Sequence, residues 1–408
     1  MSSPRSFTPF GLRTLTAPPS GWTRSHPPER KRSRWVFAAG ALSLAAALGG
    51  WTAVRTVPWF GPLVADTLRS VVGGERVTAL EEAVADVEDH VARATTDGKA
   101  RSLEEATPAA LLELPTTHDD ATVQRALAPA AVSAPFPRVA GAGDGTWSAV
   151  PTRVGDAPLY RTMLHPDPER SYAELFVFAL ELSRFEVHAV AGSIEPRSEK
   201  PLAGVERPGV VPEAARGRLV AAFNGGFKAE HGKFGMLADG AELLRPQPYS
   251  CTVAGGADGS ITIGTWNKLS ERSPAFTWWR QTPGCMLENG VLHPGLRSDD
   301  TKNWGATLEG KTVIRRSAAG LSADGKTLFI GISNSTTARA LALGMQQAGA
   351  VSVAQLDVNF SFPRFLVYQP DADTGALTAL GAVKGLLYSA DEYVGRASTR
   401  DFFYVTAR

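Results

Sequence analysis

Asp357 stands where an apolar run ends. Val351–Leu356 reads as a buried strand, and a carboxylate delivered at the mouth of a core strand is held firmly enough to serve as base or nucleophile. The same position also suits a structural carboxylate that accepts turn amides or pairs with an arginine. Asn359 and Ser361 follow at period two. A continuing strand would turn all three polar side chains to one side and Phe360 and Phe362 to the core. Earlier in the chain, the apolar strand Leu219–Phe223 runs into Asn224, Gly225 and Gly226. The amide can bond a hydroxyl or phosphate, and the glycines let the backbone turn close to a ligand or simply leave the strand. Glu230 and His231 come soon after; their types could complete an acid and base set, with a solvated loop as the plainer reading. Arg315 and Arg316 point to opposite faces of a strand, so only one guanidinium is inward. A planar fork there suits phosphate or carboxylate, or else a surface ion pair.

The elements that position these groups can be read around Val313–Phe365. The strand through Arg315–Leu321 meets Ser322-Ala323-Asp324-Gly325, a tight-turn signal, and Thr327–Ser333 is the returning strand of a hairpin. Thr336 or Thr337 caps a helix over Ala338–Ala348, with Leu341, Met345 and Ala348 on its apolar face and Gly349 as its stop. Upstream, Leu175–Leu180 and Phe185–Val190 read as strands, Met236–Leu244 and Ser250–Ile263 as hairpins, and Asn289-Gly290 as a hairpin turn. Phe402–Val405 is a candidate closing strand. Many strands and few helices predict an α+β domain with a mixed, largely antiparallel sheet. Trp278, Trp279 and Trp304 could stack on sugar rings, but adjacent Trp278 and Trp279 face opposite ways, so at least one belongs to the core.

The chain has 408 residues and a net charge of +1, which argues against a nucleic-acid partner. Its charge is uneven. Residues 1–34 are basic, Pro- and Ser-rich and expected to be a disordered cytoplasmic leader. Residues 35–54 carry no charge and match the roughly 20 residues that span a bilayer as a helix. The expectation is an uncleaved signal-anchor rather than a cleaved signal peptide, with the main domain outside, periplasmic or at the cell surface. Residues 55–136 read as a helical stalk and linker: Val57–Leu68 is mixed and Pro-broken. Val77, Leu80, Val84, Val87 and Val91 then form a short heptad seam that packs on the chain's own globular part or pairs two chains as a homodimer. Residues 137–408 form the globular domain. The two cysteines, Cys251 and Cys285, can form a disulfide if the domain is exported, or stay as buried thiols. No cofactor is required. The scattered histidines give no zinc spacing, while a divalent metal held by Asp357 and neighbouring oxygens is left open.

Three segments, taken in order, resemble the phosphodiester glycosidase family. Ala222-Phe223-Asn224-Gly225-Gly226-Phe227 is similar to its Asn-Gly-Gly-Phe-Phe, with Lys228 in place of the second Phe. Arg316-Ser317-Ala318-Ala319-Gly320 is similar to its Arg-Thr-Ala-x-Gly. Leu356-Asp357-Val358-Asn359-Phe360-Ser361 stands where the family has Leu-Asp-Gly-Gly-Gly-Ser, so the glycines that would admit a phosphate or sugar to the backbone are replaced. The resemblance implies an extracytoplasmic hydrolase of a glycosyl-phosphodiester bond in an envelope or exported polysaccharide. Asp357, Arg316, Glu230 and His231 would be catalytic, and Asn224, Gly225, Gly226, Ser317, Asn359 and Ser361 would bind substrate. The replaced glycines imply the alternative, a catalytically inactive relative that binds glycan or protein.

Overall fold

The computed structural model describes residues 49–57, 60–96, 98–114, 128–154, 157–198, 205–297, 302–304 and 312–408. It divides into two compact units, Met1–Thr52 and Ala53–Arg408. Only the last four residues of the first are described, and they are helical. The leader and most of the apolar run expected to cross a membrane lie outside the described residues. Among the described residues, no helix is long and apolar enough to cross a membrane.

The second unit is built on three sheets. The largest has eight strands in the order β1 (Ser148–Val150), β2 (Leu159–Leu164), β3 (Leu175–Glu181), β14 (Thr327–Thr336), β13 (Ile314–Leu321), β15 (Ser352–Val358), β11 (Leu287–Glu288) and β12 (Val291–Leu292). A second has β17 (Leu377–Gly381), β16 (Phe365–Pro370), β5 (Leu219–Asn224), β18 (Phe402–Ala407) and β4 (Phe185–Val190). The third has β7 (Ala241–Leu244), β6 (Met236–Ala238), β10 (Phe276–Thr282), β8 (Cys251–Gly256) and β9 (Ile261–Thr265). Every pairing between these strands is antiparallel, consistent with the expected α+β class.

Turn chemistry fixes the hairpins as read. Asn289 and Gly290 take φ of 50° and 78° between β11 and β12, the pair of left-handed residues that a two-residue hairpin needs. The helix Ala338–Gln347 starts at Thr337, whose side chain accepts from the Ala340 amide. It buries Ala338, Leu341, Ala342 and Met345 against one face of the large sheet, alongside Leu175, Val177, Ala318 and Val353. The other face of that sheet contributes Phe178, Ala319, Ile330 and Leu356 to a larger core shared with Phe223, Phe365 and Phe403 of the second sheet. Phe178 stacks on Phe365 with centroids 4.0 Å apart, so the two sheets meet through aromatic contact.

In the stretch expected to be Pro-broken, helical structure stops at Thr56, residues 58–59 lie outside the described residues, and a further helix runs Phe60–Val72. Pro62 sits in its first turn, where the backbone N–H has no intrahelical partner to lose. The heptad seam lies on a second helix, Gly74–Thr95. Val77 is buried, while Leu80, Val87 and Val91 are exposed. Asp89 holds this helix to the domain, accepting from Arg170 Nε at 2.8 Å and from the Tyr172 hydroxyl. Cys251 and Cys285 are joined in a disulfide.

Candidate active site

Asp357 owes its direction to an irregularity in β15. Ala318 lies opposite Gln355, yet Arg316 lies opposite Val358, so β15 carries one residue more than β13 over this span. A β-bulge of this kind re-aims side chains. Leu356 and Asp357 together face Ser317, and residues directly opposite share a face. Arg316, Gln355 and Val358 therefore lie on one face, and Ser317 and Asp357 on the other.

The contacts agree. Arg316 is fully buried and donates to the carbonyls of Thr312, Trp304 and Thr336 and, at 3.2 Å, to Gln355 Oε1. Burial without a carboxylate pushes it down to about 9. The structure thus does not bring Arg316 to Asp357. It is a strut beneath the sheet, tying Trp304 and Thr312 to the strands. Trp304 and Trp279 are buried as well, and neither offers a ring to solvent.

Asn224, Ser317 and Asp357 do come together. Asn224 Nδ2 donates to Ser317 Oγ at 2.9 Å, and Ser317 Oγ donates to the Asp357 carbonyl at 3.0 Å. The Asp357 amide donates to the Gly225 carbonyl at 3.0 Å. Asn224 Oδ1 accepts from the Arg364 amide at 3.0 Å. Asn224 is buried, and these bonds use its amide to staple the end of β5 to the large sheet.

Gly225 and Gly226 serve packing rather than an open approach. A Cβ on Gly225 would stand 2.1 Å from Asp401 Oδ2, and one on Gly226 would stand 2.8 Å from Arg280 Cζ. Asp401 and Arg280 form a buried ion pair, Nε to Oδ2 2.8 Å, and the Gly226 amide donates to the same carboxylate at 2.8 Å. The absence of side chains at the two glycines makes room for that pair.

The cation at Asp357 is Arg400, which the sequence reading did not select. Its Nη2 donates to Asp357 Oδ2 at 2.5 Å and to the Gly226 carbonyl at 3.0 Å. Its guanidinium lies 4.4 Å from the Phe362 ring centroid, and its Nε is buried without a hydrogen-bond partner. Asp357 Oδ1 accepts from the Val358 amide at 2.9 Å, and Asn359 Nδ2 lies 3.4 Å from Oδ2. Asp357 is 3% exposed. Burial pushes its carboxyl above the ordinary range, opposed by Arg400 and then by His231.

His231 and Glu230 sit in a short 3-10 turn, Ala229–His231. The His231 side chain is 32% exposed and that of Glu230 58%, with 3.5 Å between Nε2 and Oε1. Burial holds His231 below its usual value, and Asp357 leads the opposing pulls, ahead of Glu230. His231 therefore lies within electrostatic range of the buried carboxylate and also reaches solvent.

Asn359 and Ser361 do not continue the strand alternation. β15 ends at Val358, and Asn359 Oδ1 accepts from the Ser361 and Phe362 amides at 2.8 and 2.6 Å. This side-chain turn leaves Phe360 and Phe362 half-buried rather than in the core. Phe360 lies between arginines: Arg55 and Arg315 have their guanidinium carbons 4.1 and 4.7 Å from its centroid. Arg315, the neighbour set aside on the sequence, donates to the Phe360 carbonyl at 2.5 Å, to Gly385 O and to Asn334 Oδ1. Burial first, then Arg364 and Arg55, push it down to about 10. Arg364 fastens the same turn through Ser361 O and Phe362 O and pairs with Glu392 at 2.6 Å. Among the described residues, no three His, Cys, Asp or Glu side chains are grouped to hold a metal.

The signal for Arg400 and Asp401 was present in the sequence. Ser398-Thr399-Arg400-Asp401 places two charges directly before an apolar closing strand, where charges are costly unless they pair.

No protein-family model matches the chain, and no curated protein does. Solved structures do match. The catalytic domain of zebrafish N-acetylglucosamine-1-phosphodiester alpha-N-acetylglucosaminidase, auto-inhibited by its pro-peptide, is 15% identical with a TM-score of 0.40, over 61% of this chain and 84% of that one. A hypothetical protein from Synechocystis is 10% identical with a TM-score of 0.38, over 62% of each chain. A protein from Burkholderia pseudomallei K96243 is 12% identical with a TM-score of 0.30, over 57% of this chain and 74% of that one.

Proposed function

We propose that this chain is an extracytoplasmic hydrolase acting on a glycosyl-phosphodiester bond of an envelope or exported polysaccharide, anchored by its apolar N-terminal stretch. The observation that carries the reading is the buried carboxylate of Asp357, raised by desolvation and set between Arg400 and His231. A carboxyl shifted toward neutrality is suited to move a proton near physiological pH. A sugar-1-phosphodiester loses a stable phosphate anion, so the leaving group needs little acid help. The task left to the protein is to aim water or a carboxylate at the anomeric carbon. Asp357 takes that part. His231, with solvent on one side and Asp357 in range on the other, relays the proton outward, with Glu230 beside it. Arg400, whose Nε lacks a protein acceptor, supplies the cation once assigned to Arg316, and Arg315 adds positive potential at the turn. The disulfide supports an oxidising location.

The near-complete burial of Asp357, with its carboxylate already bonded by Arg400 and Val358, favours a second reading: an inactive relative that binds glycan or protein through the same face. Asp357→Asn decides between them. Hydrolysis of an aryl or glycosyl sugar-1-phosphodiester should fall at least a hundredfold while folding is kept. Hydrolysis that survives the change removes the site. A parent protein with no hydrolysis that still binds glycan establishes the second reading.

A further inference from the structure

The loop that carries His231 is fastened on both sides of its turn. Before the turn, Arg400 Nη2 donates to the Gly226 carbonyl at 3.0 Å and Arg280 Nη2 to the Phe227 carbonyl at 2.5 Å. After it, Gln247 Nε2 donates to the carbonyls of Gly232 and Lys233 at 2.5 and 2.9 Å. The turn itself, Ala229–His231, takes no capping bond from the side chain of Lys228 before it. Its first amide is met from 34 residues away: the Ala229 N–H donates to Glu195 Oε2 at 3.0 Å.

Glu195 is buried, where a carboxylate is costly unless it is bonded. The same Oε2 accepts from the Arg197 amide at 3.1 Å. Arg197 Nε stands 3.4 Å from Oε1, on a side chain that is 73% exposed, and so exposed a cation contributes little. The two amides are therefore the main support of this carboxylate. The backbone beside it is bound as well. The Ser193 amide donates to the Ser398 carbonyl at 2.9 Å, and the amides of Ile194 and Glu195 donate to the Thr399 carbonyl at 3.2 and 2.8 Å. Gly192 fits against the next residue, where a Cβ would stand 2.4 Å from the Arg400 carbonyl carbon.

Residues 192–195 thus run along residues 398–400, and the Glu195 side chain reaches from that pairing to the turn. Arg400 holds the Asp357 carboxylate, and His231 lies in electrostatic range of it. One side chain ties both to a common frame. Asp357 acts on His231 through space, so its pull depends on where the turn sits. The other charges acting on His231 are Glu230, which pulls with Asp357, and Arg400 and Lys228, which oppose it; burial outweighs each of them.

We infer that Glu195 is a positioning residue, which through the Ala229 amide sets the His231 imidazole at its distance from Asp357. Its part in turnover rests on the hydrolase reading, but the placement is read without turnover.

The test follows the His231 imidazole titration by NMR in the full-length protein, the resonance being assigned by its loss in His231→Gln. In the parent, Asp357→Asn should lower the His231 pKa, because a negative neighbour is removed. In a Glu195→Ala background the same change should lower it by less than about half as much. Glu195→Gln keeps an oxygen for the Ala229 amide and drops the charge, so it should restore the full drop. Ala229→Pro breaks the bond from its donor side. Lys228, at φ −58° and ψ 153°, already has the backbone that precedes a proline, so this variant should match Glu195→Ala and decides the matter if Glu195→Ala does not fold. Where the parent hydrolyses a sugar-1-phosphodiester, Glu195→Ala should lower kcat by roughly ten- to hundredfold with KM little changed. A parent without turnover counts against the hydrolase reading alone. The inference is overturned if Asp357→Asn does not move His231 in the parent, if the drop is undiminished in Glu195→Ala or Ala229→Pro, or if Glu195→Gln behaves as Glu195→Ala does.

Discussion

Arg400→Met should destabilise the protein by an amount that depends on pH. Arg400 and Asp357 are 6% and 5% exposed at their side chains and only 2.5 Å apart. Removing one member of a buried pair leaves the other charged and unpaired, a loss of about 3–5 kcal/mol. The carboxyl of Asp357 is already raised by burial, and Arg400 is the largest pull against that rise. Without it the folded-state value climbs further. A folded state with a raised carboxyl binds more protons than the unfolded one, so stability falls as pH rises from the unfolded value, about 3.9, through the folded value. At pH 5 a larger share of the variant's Asp357 is neutral than at pH 8, so the loss should be smaller, toward the roughly 1 kcal/mol of one hydrogen-bond set and some packing. At pH 8 the loss should be larger, toward the full 3–5 kcal/mol or so, roughly 4–7 °C in melting temperature for a unit of this size. Urea unfolding of the parent, Arg400→Met, Asp357→Asn and the double variant at both pH values measures it. The double variant should lose less than the two single losses added together. Equal losses at pH 5 and pH 8, together with additive singles, would refute the pairing.

Replacing both Cys251 and Cys285 by Ser reopens a loop whose ends are 34 residues apart, which the chain-entropy relation sets at about 3.8 kcal/mol. Urea midpoints should fall accordingly, the parent with reductant should behave like the variant, and a loss under about 1 kcal/mol would contradict the estimate. Gly225→Ala drives a methyl to 2.1 Å from Asp401 Oδ2, so a loss of on the order of 3 kcal/mol or more is expected by thermal melting, and a silent substitution would mean that Asp401 can retreat. If Asp357 is the base, turnover of a sugar phosphodiester should fall as pH drops through its raised value, and the acid limb should lie above the ordinary carboxylate range. A rate independent of pH from 4 to 8 would exclude that role.

Two strand ends were legible because their motifs close an apolar run, and runs that end at one edge of two facing sheets bring their next residues together. Asn224 and Asp357 meet for that reason, while Ser317 lies inside β13, opposite the bulge that carries Asp357. The inward arginine was not legible, because period two fails at a bulge. One extra residue between Gln355 and Val358 exchanges the faces, and nothing in Val353-Ala354-Gln355-Leu356 marks it. Arg400 was missed because its partner lies 43 residues away and its segment matches no motif. The helix Phe60–Val72 was missed because proline was weighed as a breaker without regard to its place in the first turn.

The position of the site also constrains its chemistry. Asn224 fastens two sheets, the two glycines house the Arg280–Asp401 pair, and Ser317 bonds a carbonyl, so four of the motif positions are consumed by the joint. What remains near Asp357 is the side formed by His231 and the 359–362 turn. There Phe360 and Phe362 lie under arginines instead of leaving the backbone bare. A phosphate approaching from this side meets guanidinium groups before backbone amides. Charge recognition by arginine would therefore replace the amide cradle that glycines provide. On the hydrolase reading, turnover depends on how far the turn, held by Arg364 and Arg315, yields to expose the carboxylate beneath it.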